Sequence, residues 1–241
     1  MNTLLISASS RGHVDHGWLD TYHTFSFASY HDPNRVHFGA LRVLNDDFVV
    51  PEQGFGTHPH DNMEIISIPL YGHLAHKDSM GKAEVLSAGE IQVMSAGTGI
   101  THSEYNASET EPLNFFQIWI FPDKQDVKPR YDHRKFDFAH LKNQFIQIVG
   151  PKDDMSNTGL WIHQAAWLNM GIFDKGKDLE YQVNRKGNGV FAMVIEGEFT
   201  VENQRLQQRD ALCIWNTGHI KIIANTDNAR ILLIDVPMDF K

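Results

Sequence analysis

The chain has 241 residues, of which 41% are hydrophobic and 21% are charged, and its formal net charge at pH 7 is -9 with histidines neutral. This composition is typical of a folded globular protein and excludes wholesale disorder. A net negative surface repels phosphate backbones, and no run of five Lys or Arg residues occurs, so we expect no direct contact with DNA or RNA.

The single cysteine, Cys213, lies in an apolar run and cannot form an internal disulfide, so we interpret it as a small core residue. A chain without a disulfide framework fits a reducing compartment. The N-terminus lacks the basic segment of a signal peptide, and no stretch approaches the roughly 18 apolar residues that a membrane span needs. We therefore expect a cytoplasmic protein without a membrane partner.

Short apolar runs, separated by Gly, Asn, Asp or Pro, recur along the whole chain. Many are rich in Ile, Val, Phe and Trp, which favour pleated backbone. These runs predict β-strands at 38–44, 63–70, 90–95, 115–121, 190–195, 211–215, 220–224 and 230–236. The polar stretch 129–141 is compatible with a short helix or with none. The close spacing of the turn signals predicts an all-β protein of the sandwich or barrel type.

A weak internal repeat divides the chain into two halves. Gly72 is followed by Glu90 eighteen residues later, and Gly197 is followed by Asp210 thirteen residues later. Each half then has the order strand, glycine turn, strand, acidic turn and apolar strand, which predicts two similar β-domains in tandem. We place the boundary in the polar, proline-containing segment after residue 121, so that the predicted domains are 1–128 and 129–241.

Two pairs of side chains have the spacing of metal ligands: His58 with His60, and His102 with Glu104. In extended backbone the side chains at i and i+2 point to the same face. Pro59 favours an extended conformation at the residue before it and disfavours central pairing of its strand. Either pair alone has an ordinary explanation, because the chain has 14 histidines and surface hydrogen-bonded pairs are common. Together, each after a glycine-rich turn, they predict one divalent metal ion held by all four side chains.

The predicted ligands narrow the choice of metal ion but do not identify it. Three imidazoles and one carboxylate lack the thiolates that select Cu(I) or iron–sulfur clusters, and they suit Fe(II), Mn(II), Co(II), Ni(II), Cu(II) and Zn(II). Four protein ligands would leave two positions of an octahedron for water, substrate or O2. We predict no second site among the other N-terminal histidines, which are His13, His16, His23, His31 and His37.

Four segments of the first 120 residues resemble the pirin family of the cupin superfamily: 11–28, 38–47, 54–60 and 94–104. The second half resembles the family only in its layout. The resemblance implies two tandem cupin β-barrels, a bicupin, with metal in the N-terminal barrel only and with the four ligands predicted above. In the second half, Val183 and Arg185 stand where His58 and His60 stand in the first.

Three further residues bear on the predicted pocket wall and on the choice of the carboxylate ligand. Pro69 departs from the family pattern and predicts an edge or a bulge in its strand, and Tyr71 replaces the usual acidic residue before the turn glycine. Glu64 occupies the place of the carboxylate ligand in many other cupins, whereas the pirin resemblance assigns that role to Glu104. Glu64 is therefore kept as the alternative ligand.

The resemblance also implies a reaction: opening of flavonols such as quercetin by O2, with release of carbon monoxide and a depside, as in a quercetin 2,3-dioxygenase. It favours Fe(II) as the metal. Glu104 is then the expected base for the 3-hydroxyl proton, although a tightly coordinated carboxylate is a weaker base. A flat aromatic substrate needs an apolar pocket. The candidate pocket residues, each of which could equally be barrel core, are Phe38, Phe55, Ile66, Met94 and Trp119.

Two other interpretations stay open at this stage. Eukaryotic members of the family are regarded as redox-sensitive transcriptional cofactors, so the chain could be a non-enzymatic, metal-binding regulatory module that contacts a protein partner. It could also be a metalloenzyme that acts on another metabolite. The fold hosts many chemistries and does not decide between them.

Overall fold

The computed structural model describes residues 1–240, which are built almost entirely from β-strands. In chain order the strands are β1 Asn2–Ile6, β2 Gly12–Asp15, β3 Leu19–His23, β4 Leu41–Val49, β5 Gly54–His60, β6 Glu64–Tyr71, β7 His73–Asp78, β8 Ala83–Ser87, β9 Glu90–Ser95, β10 Ile100–Asn106, β11 Leu113–Ile120 and β12 Arg130–Lys135. They continue with β13 Ile146–Pro151, β14 Leu160–Ile162, β15 Trp167–Phe173, β16 Asp178–Gln182, β17 Asn188–Glu196, β18 Phe199–Val201, β19 Gln204–Leu206, β20 Ala211–Trp215, β21 His219–Ala224 and β22 Ala229–Pro237. One turn of 3-10 helix spans Ala8–Ser10. Within residues 1–240, no helix is long and apolar enough to cross a membrane.

The all-β prediction is confirmed, and every predicted strand overlaps an observed one. For the stretch 129–141 the sequence allowed a short helix or none, and the structure has the strand β12 there. Pro69 lies beside a register shift between β6 and β11, which is the predicted bulge. Cys213 is buried, as expected, and burial raises the pKa of its thiol to about 12.

The strands form two pairs of sheets. In the N-terminal pair, a seven-stranded sheet has the order β12-β9-β6-β11-β4-β3-β2 and a four-stranded sheet has the order β5-β10-β7-β8. In the C-terminal pair the orders are β1-β20-β17-β22-β15-β13-β14 and β16-β21-β18-β19. The apolar interior of each pair contains side chains from both of its sheets, such as Leu74 and Phe115 in the first, and Phe199 and Leu233 in the second. Each pair is therefore one closed β-unit with its own core.

The largest apolar cluster lies between the two units. It joins Ile66, Ile68 and Ile118 of the first seven-stranded sheet to Leu168 and Leu232 of the second. The central strands are consequently buried on both faces, as in β11, where seven of eight residues are buried. Burial on two faces explains why these strands have continuous apolar sequences rather than an alternating pattern.

Each unit also takes an edge strand from the other side of the predicted domain boundary. The first strand, β1, pairs with β20 of the C-terminal unit, with Leu4 opposite Cys213. The strand after the boundary, β12, pairs with β9 of the N-terminal unit, with His133 opposite Gln92. The division at 128 and 129 stays a prediction, and these pairings connect the two units across it.

A buried ion-pair network crosses between the units. Asp46 of β4 is almost completely buried, and its Oδ2 accepts hydrogen bonds from Arg209 Nε at 2.8 Å and from Arg11 Nη1 at 3.4 Å. The other oxygen, Oδ1, accepts a bond from Asn114 Nδ2 at 2.8 Å. Arg209 precedes β20 of the C-terminal unit, so that this one carboxylate ties the two units together.

Candidate metal centre and adjoining cavity

The two predicted ligand pairs lie on neighbouring strands. β5 and β10 are antiparallel, with His58 directly opposite His102 and His60 opposite Ile100. β5 is the edge strand of its sheet, which agrees with the prediction from Pro59, because a residue without an N–H is tolerated at an edge. The i, i+2 spacing on one strand and the register between two strands together bring three imidazoles to one place.

The geometry of the three imidazoles fits a divalent ion. The Nε2 atoms of His60 and His102 face each other at 3.0 Å, and one nitrogen from each of the three rings lies within 4.8 Å of the others. Two ligands that each lie about 2.1 Å from a shared ion are separated by about 3 Å when they are adjacent. Nδ1 of His58 donates a hydrogen bond to the Gly56 carbonyl at 2.8 Å, which leaves Nε2 of that ring free to coordinate.

The electrostatics keep these rings in the form that binds metal. Burial, followed by the neighbouring imidazoles, lowers the pKa of His60 and of His102 to about 3 in each case. Both rings are thus neutral at pH 7 and keep a lone pair for coordination.

The fourth predicted ligand, Glu104, lies in an adjoining cluster. A register shift separates it from His102 on β10, and it stands opposite His76 of β7. Ligand atoms of His76, His102 and Glu104 lie within 4.8 Å of one another, so that His102 belongs to both clusters. Oε1 of Glu104 accepts hydrogen bonds from Ser67 Oγ and from Gln92 Nε2, both at 2.8 Å. Burial raises the pKa of this carboxyl group.

His76 was not predicted as a site residue. It is buried, its Nε2 lies 3.3 Å from Asp78 Oδ2, and its ring stacks on Tyr131 with centroids 4.5 Å apart. The signal that could have found it is the i, i+2 spacing of His76 and Asp78, which repeats the pattern of the two ligand pairs.

Glu64, the alternative ligand, lies outside both clusters. Its Oε2 accepts a hydrogen bond from Ser95 Oγ at 2.7 Å, and the backbone N–H of His163 also bonds to its carboxyl group. Burial raises its pKa from 4.5 to about 7. Glu64 therefore connects the two units through His163 rather than pointing toward the three imidazoles.

Replacing Glu64 by glutamine is expected to change how stability depends on pH. Between pH 4.5 and 7 the folded wild type keeps a proton on Glu64 that the unfolded chain has lost, so wild-type stability falls as the pH rises. The variant lacks this loss, and its stability relative to wild type should increase by up to about 3 kcal/mol over that range. Urea unfolding of metal-free protein at several pH values measures the change, with Glu109→Gln on an exposed loop as the matched control. Parallel pH curves for wild type and Glu64→Gln would contradict the assignment.

A cavity of about 170 Å³ adjoins the imidazoles, and His58 and His60 form part of its wall. The apolar part of the wall consists of Leu19, Phe27, Phe55 and Trp119. The polar part consists of Thr21, His23, Asn45, Asp47 and Gln117. Two of the predicted pocket residues, Phe55 and Trp119, thus line the cavity beside the candidate ligands.

The other three predicted pocket residues lie elsewhere. Phe38 packs between the units, with its ring 6.4 Å from Phe191, and Ile66 belongs to the same cluster. Met94 packs with Ile65 in a separate small cluster against which Trp119 also packs. Ile66 points away from the cavity because its neighbours in sequence point inward, and adjacent residues of a strand face opposite ways.

The polar wall was not recognised from the sequence. It is built by strand register: Thr21 lies opposite Asp47, and His23 lies opposite Asn45. Thr21 Oγ1 donates to Asp47 Oδ1 at 2.5 Å, and Gln117 Nε2 donates to Asp47 Oδ2 at 2.7 Å. Burial raises the pKa of Asp47 to about 7. The available signal was polar residues at alternate positions in β3 and β4, the same period that marks the ligand pairs.

The protein consists of two β-barrel units, and three imidazoles converge in the N-terminal one. This combination defines the class of the protein as a bicupin with a candidate metal centre. The chain belongs to the pirin family. The family model described as Pirin matches residues 6–120, and the model described as the quercetinase C-terminal cupin domain matches residues 147–236. The predicted resemblance and the two-cupin architecture are thereby confirmed, and the second match extends the relationship to the half that the sequence alone linked only by layout.

The chain is similar to other bacterial proteins over nearly its full length. It is 44% identical over 233 residues to the quercetin 2,3-dioxygenase of Escherichia coli K12, covering 97% of this chain and 98% of that protein. It is 38% identical over 224 residues to a pirin-like protein of Caulobacter vibrioides, with 93% and 95% covered. The crystal structure of the bacterial pirin YhhW in complex with nickel(II), from Escherichia coli, superposes with a TM-score of 0.92 at 42% identity and covers 98% of this chain and 99% of that one.

Proposed function

We propose that the chain is a metal-dependent dioxygenase that opens flavonols such as quercetin with O2, releasing carbon monoxide. The observation that carries this proposal is the convergence of His58, His60 and His102, two of which, His58 and His60, line a cavity that also has aromatic side chains. The 44% identity to the quercetin 2,3-dioxygenase of Escherichia coli supports the same substrate class. Its location in the cytoplasm stays a prediction from the sequence.

One divalent ion would be held by the three imidazoles and by Glu104. When bound, it supplies Lewis-acid stabilisation of a deprotonated hydroxyl and open positions for ligands. We propose Fe(II) as the physiological metal, on the family resemblance. Nickel(II) is the ion in the related crystal structure, and the donor set accepts either ion.

The aromatic side chains would hold and orient the flavonol. Trp119 packs edge-on against His60, with ring centroids 4.9 Å apart, and Phe55 contacts Trp18 in the same manner at 5.3 Å. These rings form rigid apolar surfaces beside the ligand nitrogens. A cavity of about 170 Å³ is small for a whole flavonol, so the ring that carries the 3-hydroxyl would enter while the rest lies toward the opening.

Glu104 is better placed as a ligand than as a base. Ser67 and Gln92 both donate to its Oε1, and these bonds favour the charged carboxylate and fix its orientation. The remaining oxygen, Oε2, is the one available to a metal ion. To act as the base expected from the sequence, Glu104 would have to use the same Oε2, which would then have to move away from the metal ion.

Oxygen consumption tests the proposal directly. Protein purified without air is loaded separately with Fe(II), Ni(II), Mn(II) and Zn(II), and then mixed with quercetin and O2. We expect at least one loaded form to consume O2 and release carbon monoxide in equal amounts, and metal-free protein to do neither. No O2 consumption with any metal would contradict the enzyme assignment and favour the regulatory module instead.

A further inference from the structure

His23 is the side chain of the cavity wall whose environment suits proton transfer. Only 4% of the surface of this residue is exposed, and its ring lies 5.3 Å from that of Phe27 and 6.2 Å from that of Tyr30, between centroids. Nδ1 lies 2.9 Å from Asn45 Oδ1. An amide oxygen can only accept, so Nδ1 carries the hydrogen and Nε2 carries the lone pair. Among the described residues 1–240, Nε2 has no hydrogen-bond partner.

The other acidic or basic groups near the cavity are already engaged. Both oxygens of Asp47 accept bonds, from Thr21 and from Gln117. Glu104 does not line the cavity, and two donors occupy its Oε1. The remaining imidazoles of the wall, His58 and His60, are candidate metal ligands. Among the titratable side chains of the cavity wall that are not candidate metal ligands, the free lone pair therefore belongs to His23.

We propose that His23 is the catalytic base that takes the 3-hydroxyl proton of the flavonol, an inference that rests on the proposed function. The O–H bond breaks, its electron pair stays on the oxygen, and a new N–H bond forms at Nε2. The ring becomes an imidazolium whose Nδ1–H remains bonded to Asn45. After ring opening the proton passes from Nε2 to the carboxylate of the product, so that the enzyme returns to its starting state.

The protonation state of His23 agrees with this role. Burial lowers its pKa, so the ring is neutral at pH 7 and can accept a proton. Asp47, on the neighbouring strand of the same wall, provides a nearby carboxyl group for the positive charge that develops.

Two substitutions separate the parts of this role. In His23→Asn the amide nitrogen takes the place of Nδ1, which keeps the bond to Asn45 but removes the acceptor at Nε2. In His23→Gln an amide oxygen can reach the place of Nε2, where it accepts a hydrogen bond but does not take the proton. His140→Gln is the matched control, because that side chain is 85% exposed.

The test compares binding with turnover. Binding of quercetin, and of the flavone that lacks the 3-hydroxyl, is measured by fluorescence without O2 on metal-loaded protein. We expect His23→Asn to bind quercetin about tenfold more weakly than wild type, a change in affinity that corresponds to one hydrogen bond. The same variant should bind the flavone as tightly as wild type does. We expect His23→Gln to bind quercetin within about threefold of wild type. Its kcat should be at least about a hundredfold lower than that of wild type, which is the usual effect of removing a general base.

The outcomes distinguish the inference from the function on which it rests. Turnover of quercetin by wild type, together with a kcat of His23→Gln within threefold of wild type, would overturn the inference and leave the proposed function intact. Equal losses of quercetin and flavone binding in His23→Asn would assign His23 a merely structural role and overturn it as well. A wild type that neither binds nor converts quercetin would overturn both.

Discussion

Alanine in place of His58 is expected to remove bound metal and to lower flavonol-dependent O2 consumption by about a thousandfold or more. His58 supplies one of three converging nitrogens, and its Nδ1 bond to Gly56 holds Nε2 in the coordinating orientation. Without that nitrogen, the remaining ligands bind the ion too weakly to keep it at the cavity. The several kcal/mol that a bound ion contributes to transition-state stabilisation would then be lost. Elemental analysis and an oxygen electrode measure the two effects on the same sample.

The control for this variant is His73→Ala on β7. That histidine is exposed, its side chain bonds only to the Ser87 hydroxyl at 3.0 Å, and it lies outside both ligand clusters. It should keep full metal content and activity. Because His58 is itself half-buried, the metal-free form of His58→Ala should unfold at nearly the wild-type temperature. A variant that retained one equivalent of metal and normal turnover would eliminate His58 as a ligand.

Asparagine in place of Asp46 is expected to lower the free energy of unfolding by about 3 kcal/mol. The substitution keeps the size of the side chain but removes the charge that Arg11 and Arg209 share between the two units. Removing one partner of a buried pair leaves its cations without compensation, which typically costs about 3–5 kcal/mol. The lower end of this range is expected because the side chain of Arg209 retains 14% exposure and is partly solvated. Urea unfolding at pH 7 measures the difference.

Asp153→Asn serves as the matched control for Asp46→Asn. Asp153 also pairs with a cation, Lys124, at 3.2 Å, but its side chain is 77% exposed. Exposed pairs contribute little, so this variant should stay within about 0.5 kcal/mol of wild type. Equal effects of the two substitutions would mean that the network between the units does not stabilise the fold.

The sequence alone was sufficient for the all-β class and for the group of imidazoles. Period-2 spacing on an extended strand requires His58 and His60 to share a face, whatever the rest of the fold does. Glycine turns and β-branched runs likewise mark strands such as β9 and β20 locally, and the observed bounds agree with the predicted ones. These features depend on short stretches of chain, which a sequence displays directly.

Only the tertiary structure decided which residues surround the imidazoles. His23, Asp47 and His76 enter the site through strand pairings between segments far apart in sequence, and no local pattern specifies those partners. Ile66 could not be assigned to a face, because its strand β6 is buried on both sides and has no alternation to show which residues point inward. Phe38 lies before β4, where it pairs only with Leu41, so strand alternation does not apply to it. The ligand spacing is a property of one strand, whereas the cavity wall is a property of the register between strands, and register is set only when the two units close around their cores.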